Sequence, residues 1–311
     1  MNLTYLKYAV EVAKYGGMNK AAEKLLIQQS NLSRAIRELE KDVGITIFER
    51  SSKGVKVTPK GDEFLRHAKS LLSQMNELEN LCKDSADNSI NFSISVPRAS
   101  YVCEAFLELS SSLDDKQAKL CYKEGNSIRT IESVIDGSSS LGIIRSERNY
   151  DKYFFDYIAT KGISSMIIGE YRYMVNVGCG SVLAGLDKVT YEDLRSLTQI
   201  AFADPYVPYV STDTVIENET VGGIKHNIFV VEAMSSCYML QMDPKTFMWR
   251  SPITPSSLDK FGLMQKDCTD HRNIHSDILI WRTNYKFSDT DKYFIEAVKR
   301  KAEECGMKVH R

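Results

Sequence analysis

The sequence contains no apolar run near the roughly eighteen residues that a membrane-spanning helix requires. Its N-terminal apolar pattern is interrupted by Glu11, which is not typical of a secretion signal. Both absences argue against the membrane-embedded and secreted classes of protein. We therefore expect a cytoplasmic protein that has no membrane partner.

Paired cysteines, which mark disulfide scaffolds and zinc sites, are also absent. The seven cysteines occur singly, and no two of them form a CxxC pair. An odd number of scattered cysteines in a cytoplasmic protein is typical of reduced thiols. The sequence therefore predicts no disulfide framework.

The common catalytic signatures are missing as well. The chain has no P-loop, no GxSxG, no HExxH and no GxGxxG. Gly178, Cys179 and Gly180 resemble a fragment of a glycine-rich loop, but no helix start follows them, and a turn explains them. We predict a protein without catalytic residues, without a cofactor and without enzymatic activity.

One cluster contains metal-binding residue types, namely Cys268, Asp270, His271, His275 and Asp277. The two histidines are four positions apart, which on a helix would place both rings on one face. No apolar periodicity predicts a helix there. We therefore interpret the cluster as a solvated loop and predict no metal site.

Charge is distributed unevenly along the chain, although its net value is only −1. Residues 1–60 contain eleven Lys and Arg against six Asp and Glu, a net charge of plus five, which leaves minus six for residues 61–311. A basic head on an acidic body is typical of a phosphate-binding domain attached to a domain that does not contact DNA.

The stretch from Asn19 to Phe48 is predicted to form two helices joined by a tight turn. Asn19 is the expected N-cap of the first helix, and Ile27 and Gln28 form the turn. One apolar stripe of the second helix recurs at intervals of four, three and four residues and packs inward. This stripe consists of Leu32, Ile36, Leu39 and Val43.

The opposite face of that second helix carries amide, hydroxyl and guanidinium groups, on Gln29, Ser30, Asn31, Ser33, Arg34 and Arg37. Amides pair with adenine, Arg pairs with guanine, and hydroxyls reach bases or phosphates when a helix lies in the major groove. The alternative is an amphipathic helix whose polar face is only solvated. We interpret the two helices as a DNA-reading helix-turn-helix, and a further helix predicted from about Thr4 to Tyr15 is the third helix of the unit.

A wing is predicted next, because a turn at Ser51–Gly54 precedes the alternating residues Val55, Lys56 and Val57. The polar residues at its tip are expected to contact backbone phosphates without reading bases. They are Arg50, Ser52 and Lys53.

A long helix is predicted from Pro59 to about Cys82, with Thr58 as its N-cap. Apolar residues recur along it at spacings of four and three, at Phe64, Ala68, Leu71, Met75, Leu78 and Cys82. This is the a and d pattern of a coiled coil, so we predict a two-helix dimer seam rather than packing on the helix's own domain. Residues 83–91 follow as a polar hinge.

From Phe92 onward, strands alternate with helices. Strands are predicted at 92–97, 120–125, 140–147, 166–168, 171–177 and 199–203, and helices at 100–113, 127–135, 191–194 and 289–305. This alternation predicts βαβ units and a largely parallel sheet whose carboxyl ends are open to ligands.

The run from Leu6 to Leu72 contains, in order, AAEKL, a Gln followed by LSRAI, LEKDVGITIFER and KGVKVTPKG. These pieces resemble the N-terminal domain of the LysR-type transcriptional regulators. One segment departs, since the family commonly has Ser, Gln, Pro and Ala before Leu-Ser-Arg, whereas this chain has Gln28, Gln29, Ser30 and Asn31. Gln is a poor N-cap, so either Ser30 caps a shorter helix or the first turn is looser.

The resemblance implies an N-terminal all-α winged helix-turn-helix domain at 1–58, a linker and dimerisation helix with its hinge at 59–90, and an effector-binding domain at 91–311. The last is expected to consist of two α/β lobes akin to periplasmic binding proteins. Lobe I would comprise about 91–161 and 268–311, and lobe II about 162–267.

The implied partners are double-stranded DNA, a small-molecule effector, a second or further copy of the chain as homodimer or homotetramer, and RNA polymerase. A dimer predicts an interrupted inverted repeat as the DNA site. Two alternatives remain: a solute-binding or enzymatic α/β domain fused to a helix-turn-helix, and a regulator that senses oxidants through a cysteine, as some members of this family do. The lack of a catalytic constellation favours the effector-responsive regulator.

The effector site is predicted at the carboxyl ends of the strands, where helix N-termini offer free N–H groups. The candidate residues are Arg98, Ser100, Tyr101 and Arg145 in the first lobe and Phe202 and Asp204 in the second. Two cations and a helix N-terminus favour a small anionic ligand such as a carboxylate. The alternative is that Ser100 only caps its helix and that the arginines pair with Glu147 or Asp204.

Overall fold

The structure, a computed structural model, describes residues 2–51, 54–83, 90–113, 117–219, 223–224 and 226–310, with side chains described in these ranges except at 50–51, 73–74, 76–83 and 219. The chain divides into two compact units, residues 1–88 with 135–138 and residues 89–134 with 139–311. Within the described ranges, no helix combines the length and the apolar character needed to cross a membrane.

The first unit is a helical domain with a small antiparallel sheet. Its elements are α1 (Leu3–Tyr15), α2 (Met18–Lys24), α3 (Gln29–Val43), β1 (Phe48–Ser51), β2 (Gly54–Val57) and α4 (Pro59–Lys83). Strands β1 and β2 pair in antiparallel register, as the predicted wing requires. The hydroxyl of Thr58 accepts a hydrogen bond from the Gly61 amide at 2.9 Å, which confirms Thr58 as the N-cap of α4.

The start of the helix-turn-helix differs from the prediction. Helix α2 begins at Met18 with Gly17 at its N-cap, so Asn19 lies inside the helix and its assignment as the N-cap is wrong. Gln28 is the N-cap of α3 and makes no side-chain capping bond, while Ser30 lies within the first turn. The helix is therefore not shortened by a Ser30 cap, because its first turn forms without any side-chain cap.

The core of this unit is formed by inward-facing side chains from all four of its helices. Leu32, Ile36 and Leu39 of α3 are fully buried, as the predicted stripe requires. Leu65 and Ala68 of α4 are buried in the same core, and Phe64 packs against it. The first turns of α4 therefore cover their own domain at Ala68 and in part at Phe64, while pairing of two chains through this helix stays a prediction.

The later part of the predicted seam has a different environment. Leu71 is 44% exposed, and Met75 is partly exposed. The side chains of Leu78 and Cys82 lie outside the described ones, as does the predicted hinge except for its ends.

After residue 89, strands and helices alternate. The elements are β3 (Ile90–Val96), α5 (Ser100–Ser112), β4 (Ala118–Glu124), α6 (Ser127–Ile135), β5 (Leu141–Glu147), a 3₁₀ turn (Arg148–Tyr150), α7 (Asp151–Ala159), β6 (Ile163–Arg172), β7 (Met174–Gly178), β8 (Lys188–Val189), α8 (Tyr191–Leu194), β9 (Thr198–Phe202), α9 (Thr212–Glu219), β10 (His226–Val230), α10 (Ala233–Met242), β11 (Thr246–Arg250), α11 (Pro255–Phe261), β12 (Leu263–Cys268), β13 (Ile274–Arg282), α12 (Asp289–Glu304) and β14 (Lys308–Val309).

Two sheets organise this α/β region. The first has the strand order β14-β6-β13-β5-β3-β4, and the second has the order β10-β9-β11-β7-β12-β8. The prediction of a largely parallel sheet is only partly right. Strand β3 runs parallel to β4 and β5, and β9 runs parallel to β10 and β11, but β13 is antiparallel to both of its neighbours.

The chain passes from the first sheet to the second between Arg172 and Met174 and returns between Cys268 and Ile274. The first crossing lies later than the predicted position near Gly162, because β6 continues through the whole of 163–172 as a partner of β13. The parallel strands β3, β5, β9 and β11 present their carboxyl ends to a common cavity.

Candidate functional site

Helix α3 exposes most of the polar face that the sequence predicts. Gln29, Ser30, Asn31, Arg34 and Arg37 are all exposed. Except for Asn31, these residues line a shallow surface groove, together with Ser33, Glu38 and Lys41. Amide, hydroxyl and guanidinium groups thus lie side by side along a convex helix, which is the chemistry that base edges and phosphates accept.

Ser33 is the exception on this face. It is only 4% exposed, and its hydroxyl accepts a hydrogen bond from Nη2 of Arg37 at 3.3 Å. The Ser33 hydroxyl thus contacts a residue of its own helix, and a direct role of Ser33 in base reading stays a prediction. Its contact instead orients the Arg37 guanidinium.

A carboxylate fixes the wing to this helix. Oε1 of Glu40 accepts hydrogen bonds from the amides of Ile47 at 2.7 Å and Phe48 at 3.0 Å, where the chain enters β1. No local sequence pattern predicts this role of Glu40. The predicted wing-tip residues Ser52 and Lys53, and the side chain of Arg50, lie outside the described part of the chain.

The α/β region contains a cavity of about 140 Å³ at the carboxyl ends of its parallel strands. Residues after β3, β4 and β5 line it from the first sheet, and the ends of β9 and β11 line it from the second. Of the predicted effector residues, Arg98, Arg145, Phe202 and Asp204 line the cavity, whereas Ser100 and Tyr101 do not.

Arg98 connects the two sheets. Its guanidinium lies 3.1 Å from Oδ1 of Asp204, and its central carbon lies 4.2 Å from the ring centre of Phe202. The amide of Asn126 also donates to the backbone carbonyl of Asp204 at 3.0 Å. The predicted alternative of an Arg98–Asp204 ion pair is therefore present, and this cation is already balanced by a carboxylate.

Arg145 is also paired, with Asp277, a residue predicted to lie in a solvated loop. Its Nε and Nη2 atoms each donate to Asp277 at 2.8 Å. The same carboxylate accepts from the hydroxyls of Tyr101 at 2.6 Å and Tyr171 at 2.8 Å. Asp277 is fully buried, so Tyr101 supports an internal network instead of facing a ligand.

Ser100 does not have the predicted capping role. The N-cap of α5 is Ala99, and Ser100 is the first residue of the helix. Its hydroxyl is buried and has no hydrogen-bond partner among the described residues.

The residues interpreted as a solvated loop are mostly buried, so that interpretation is wrong. His275 and Asp277 belong to β13, and Cys268 ends β12. The His275 ring stacks on Tyr173 with the ring centres 3.7 Å apart, and the His271 ring stacks on Trp249 at 4.5 Å. Burial, with a contribution from the nearby Arg145 cation, lowers the pKa of His275 to about 3, and burial also lowers the pKa of His271. Both rings are therefore neutral near pH 7.

Several residues that line the cavity are not predicted from the sequence. Trp249 and Arg250 end β11, a strand that was not predicted, and Tyr150 and Tyr206 lie in segments without a regular pattern. The run TFMWR is the one sequence feature that could have predicted Arg250 as a lining residue. Its Arg follows four residues of strand-like composition, just as Arg145 follows LGII.

Comparison with known proteins identifies the first unit. A family model described as the bacterial regulatory helix-turn-helix protein, lysR family, matches residues 3–62. The regulator BenM of Acinetobacter baylyi is 42% identical over 83 residues, which are 27% of this chain and 27% of BenM. The chain thus spans less than a third of that relative in the match. The regulator AlsR of Bacillus subtilis is 25% identical over 224 residues, 71% of each chain.

The fold extends this similarity to the rest of the chain. The crystal structure of CbnR, a LysR family transcriptional regulator, superposes with a TM-score of 0.61 over 97% of this chain and 99% of CbnR, at 18% identity. At that identity the match supports a common fold and no more. The family model and the BenM match both cover the helix-turn-helix, so the N-terminal segment of this chain is similar to the LysR family of bacterial helix-turn-helix regulators.

Proposed function

We propose that this protein is a sequence-specific DNA-binding transcriptional regulator of the LysR type that responds to a small-molecule effector. The observation that carries the proposal is the exposed row of amides and guanidiniums on α3, within a segment that matches the family model. CbnR, whose fold is similar, has been solved in complex with its target DNA. We propose the same docking here, with α3 in the major groove and the wing against the backbone.

Selection of binding sites from random duplexes by the full chain tests this proposal. We expect a defined sequence, which for a two-fold dimer is an interrupted inverted repeat. Replacing Arg34 or Gln29 by Ala should weaken binding to that sequence by about 1–3 kcal/mol and relax base preference at the contacted position. Arg66→Ala is a matched control, since Arg66 is exposed on α4 and pairs with Asp62. Selection of no sequence by the wild-type chain would refute the proposal.

We place the effector in the cavity at the carboxyl ends of the strands. The cavity is concave, lies between two sheets, and combines aromatic walls with a few polar groups, as small-molecule sites do. In this proposal the effector domain binds its ligand without catalysing a reaction, and the protein acts in the cytoplasm. A screen for compounds that raise the melting temperature of the full chain, followed by a check that the compound is recovered unchanged, tests ligand binding and the absence of a catalysed reaction.

Assembly is proposed through two surfaces. The α4 helices pair through Leu71, Met75 and Leu78. Leu71 is 44% exposed and Met75 is partly exposed, although the neighbouring Leu72 still packs against the core. A second pairing, between effector domains, is supported by exposed apolar side chains on the edge strand β10 and on α10, including Phe229, Met234, Tyr238 and Met242. RNA polymerase is a further partner by analogy with the family.

Sedimentation measurements distinguish the contributions of the two surfaces to assembly. Leu71→Glu with Leu78→Glu should remove pairing through α4 and weaken binding to the inverted repeat. Met234→Glu with Tyr238→Glu should reduce a tetramer to a dimer that still binds one repeat. If the Leu71→Glu, Leu78→Glu variant sediments as the wild type does, α4 does not take part in assembly.

A further inference from the structure

Arg250 is a buried cation that faces the cavity. It ends β11, is only 8% exposed and lines the cavity wall. Its Nη1 atom lies 3.3 Å from Oγ of Ser236 and 3.7 Å from Sγ of Cys237, and its Nη2 atom lies 3.5 Å from the carbonyl oxygen of Arg98. These acceptors are uncharged, and the two contacts with oxygen atoms are long for hydrogen bonds.

The other two arginines of the cavity differ from Arg250 in one respect. Arg98 and Arg145 lie 3.1 Å and 2.8 Å from a carboxylate. Among the residues that the structure describes, no carboxylate oxygen lies within 4.0 Å of the Arg250 guanidinium. The Phe202 ring, 5.9 Å away, supplies only a weak cation–π contact.

The Glu124 carboxylate attracts Arg250 electrostatically but does not approach it within 4.0 Å, so the buried guanidinium has no direct carboxylate partner. Such a buried charge destabilises a folded protein. Arginine does not lose its proton at physiological pH, so it cannot relieve the cost of burial by becoming neutral. An uncompensated buried charge destabilises the folded state more than a paired one does. A ligand that supplies an anion would stabilise the buried guanidinium, because the ion pair would then form in a site with little water.

The cavity also offers uncharged polar atoms without partners. Nε2 of His271 and Nδ1 of His275 are buried and have no hydrogen-bond partner among the described residues. His275 is 4% exposed, and both rings line the cavity. Each nitrogen donates or accepts according to its tautomer, so each matches a neutral hydroxyl or carbonyl of a ligand.

The volume of the cavity limits the ligand. About 140 Å³ is close to the roughly 150 Å³ cavity that accommodates benzene. A nucleotide or a peptide is too large for this space. A carboxylate with one ring, or with a short chain, fits.

We propose that Arg250, rather than Arg98 or Arg145, binds the anionic group of the effector, and that the effector is a small carboxylate bearing a hydroxyl or carbonyl group for His271 and His275. This inference rests on the proposed function, because it takes the cavity to be the effector site. Arg98 and Arg145 then position the walls of the cavity through their carboxylate partners.

The test uses the full chain and three hydroxy acids of suitable size: lactate, 3-hydroxybutyrate and 4-hydroxybenzoate. Each is compared with its primary amide, which has nearly the same shape and no charge, and with inorganic phosphate. We expect at least one acid to raise the melting temperature in a concentration-dependent way, while its amide and phosphate do not.

Arg250→Met removes the charge and keeps an apolar side chain. In this variant the dissociation constant of the active acid should rise by about 10- to 100-fold, since a charge-assisted hydrogen bond contributes about 1.5–3 kcal/mol. Without ligand, the variant should melt at or above the wild-type temperature, because a buried unpaired charge has gone. A merely structural arginine would give the opposite result, a lower melting temperature. Arg250→Lys should retain part of the binding.

Arg300→Met is the matched control, because Arg300 pairs with Glu108 on the surface and does not line the cavity. The inference is overturned if Arg250→Met binds the acid as the wild type does, if amides or phosphate stabilise the protein equally well, or if none of the acids stabilises it. Sequence-specific DNA binding, measured on the same samples, reports on the proposed function separately, since α3 belongs to the other unit.

Discussion

The two regions of this protein use arginine in opposite ways. In the helical unit, Arg34 and Arg37 are exposed, and a serine hydroxyl is the partner found for Arg37. In the α/β region, Arg98 and Arg145 are largely buried against Asp204 and Asp277. An exposed guanidinium in water is available for a phosphate or a base, whereas a buried one must be matched by an internal anion.

This contrast distinguishes a surface that recognises a charged partner from a scaffold that shapes a cavity. The sequence shows the same residue type in both regions, so composition alone does not separate the two uses. Arg250 combines features of both, because it is buried like the scaffold arginines but lacks their carboxylate.

The largest effect on stability is expected when the buried hydrogen-bond network around Asp277 is broken. Asp277→Ala leaves the buried Arg145 cation unpaired and removes the acceptor of two tyrosine hydroxyls. We expect the free energy of unfolding of the α/β region to fall by about 3–5 kcal/mol. Urea denaturation followed by tryptophan fluorescence measures this region alone, because the two tryptophans of the chain are Trp249 and Trp281.

Asp267→Ala is the control for Asp277→Ala. Its partner Arg172 lies 3.4 Å away on the surface, with about half of its side chain exposed, so the loss should stay below about 1 kcal/mol. Equal losses of unfolding free energy in the two variants would contradict the distinction between buried and surface ion pairs.

Acidification should weaken the α/β region through His275. The pKa of His275 is lowered to about 3 in the folded protein, against 6.5 for an ordinary histidine. The unfolded chain therefore takes up this proton first as the pH falls. Stability that is present above pH 6.5 is lost progressively between about 6.5 and 3, by up to about 1.4 kcal/mol per pH unit.

Urea denaturation at a series of pH values between 7 and 5 measures this slope. His275→Gln should remove most of it, leaving the part that His271 contributes, because burial lowers the pKa of His271 in the same direction. A slope that is the same in the wild type and in His275→Gln would show that the imidazole is not buried in its neutral form.

Arg34 and the predicted wing-tip residue Lys53 should affect DNA binding in different ways. Lys53→Ala should weaken binding to all duplexes alike and reduce the salt dependence of the logarithm of the binding constant by about one unit of slope. Arg34→Ala should instead change base preference. Binding isotherms at four salt concentrations, with cognate and random duplexes, separate the two effects. A change of base preference in Lys53→Ala would contradict its assignment to the backbone.

The smallest effect concerns the turn between α2 and α3. Leu26 has a φ of +55°, a left-handed conformation that costs an L-residue about 1–2 kcal/mol, and its side chain is 92% exposed. Leu26→Gly should therefore stabilise the helical unit by up to about 1 kcal/mol, since little packing is lost. Slower hydrogen exchange in peptides from α2 and α3 of the full chain would register the gain.

Leu25 provides the matched control for Leu26. It precedes Leu26, has a φ of −83° and packs against the core. Leu25→Gly should accordingly destabilise the unit. Faster exchange in Leu26→Gly as well would show that the turn does not carry strain.

Local patterns determined much of the architecture. The apolar stripe of α3, the Thr58 cap with Pro59, and the bounds of Ser127–Ile135 and Tyr191–Leu194 all follow from residues within a turn or two of each other. The family motif likewise lies within one continuous segment, residues 3–62. Helix periodicity and capping involve neighbours in sequence, which is why the sequence by itself was sufficient for these features.

Only the tertiary structure decided which charges are paired and which side chains face the cavity. Arg145 and Asp277 are 132 positions apart, and Tyr101 and Asp277 are 176 apart, yet they form one buried network. The direction of β13, the later crossing after Arg172 and the burial of His275 were decided in the same way, by strands that pair across the whole domain. Burial and ion pairing depend on contacts between distant segments, and no local pattern records them.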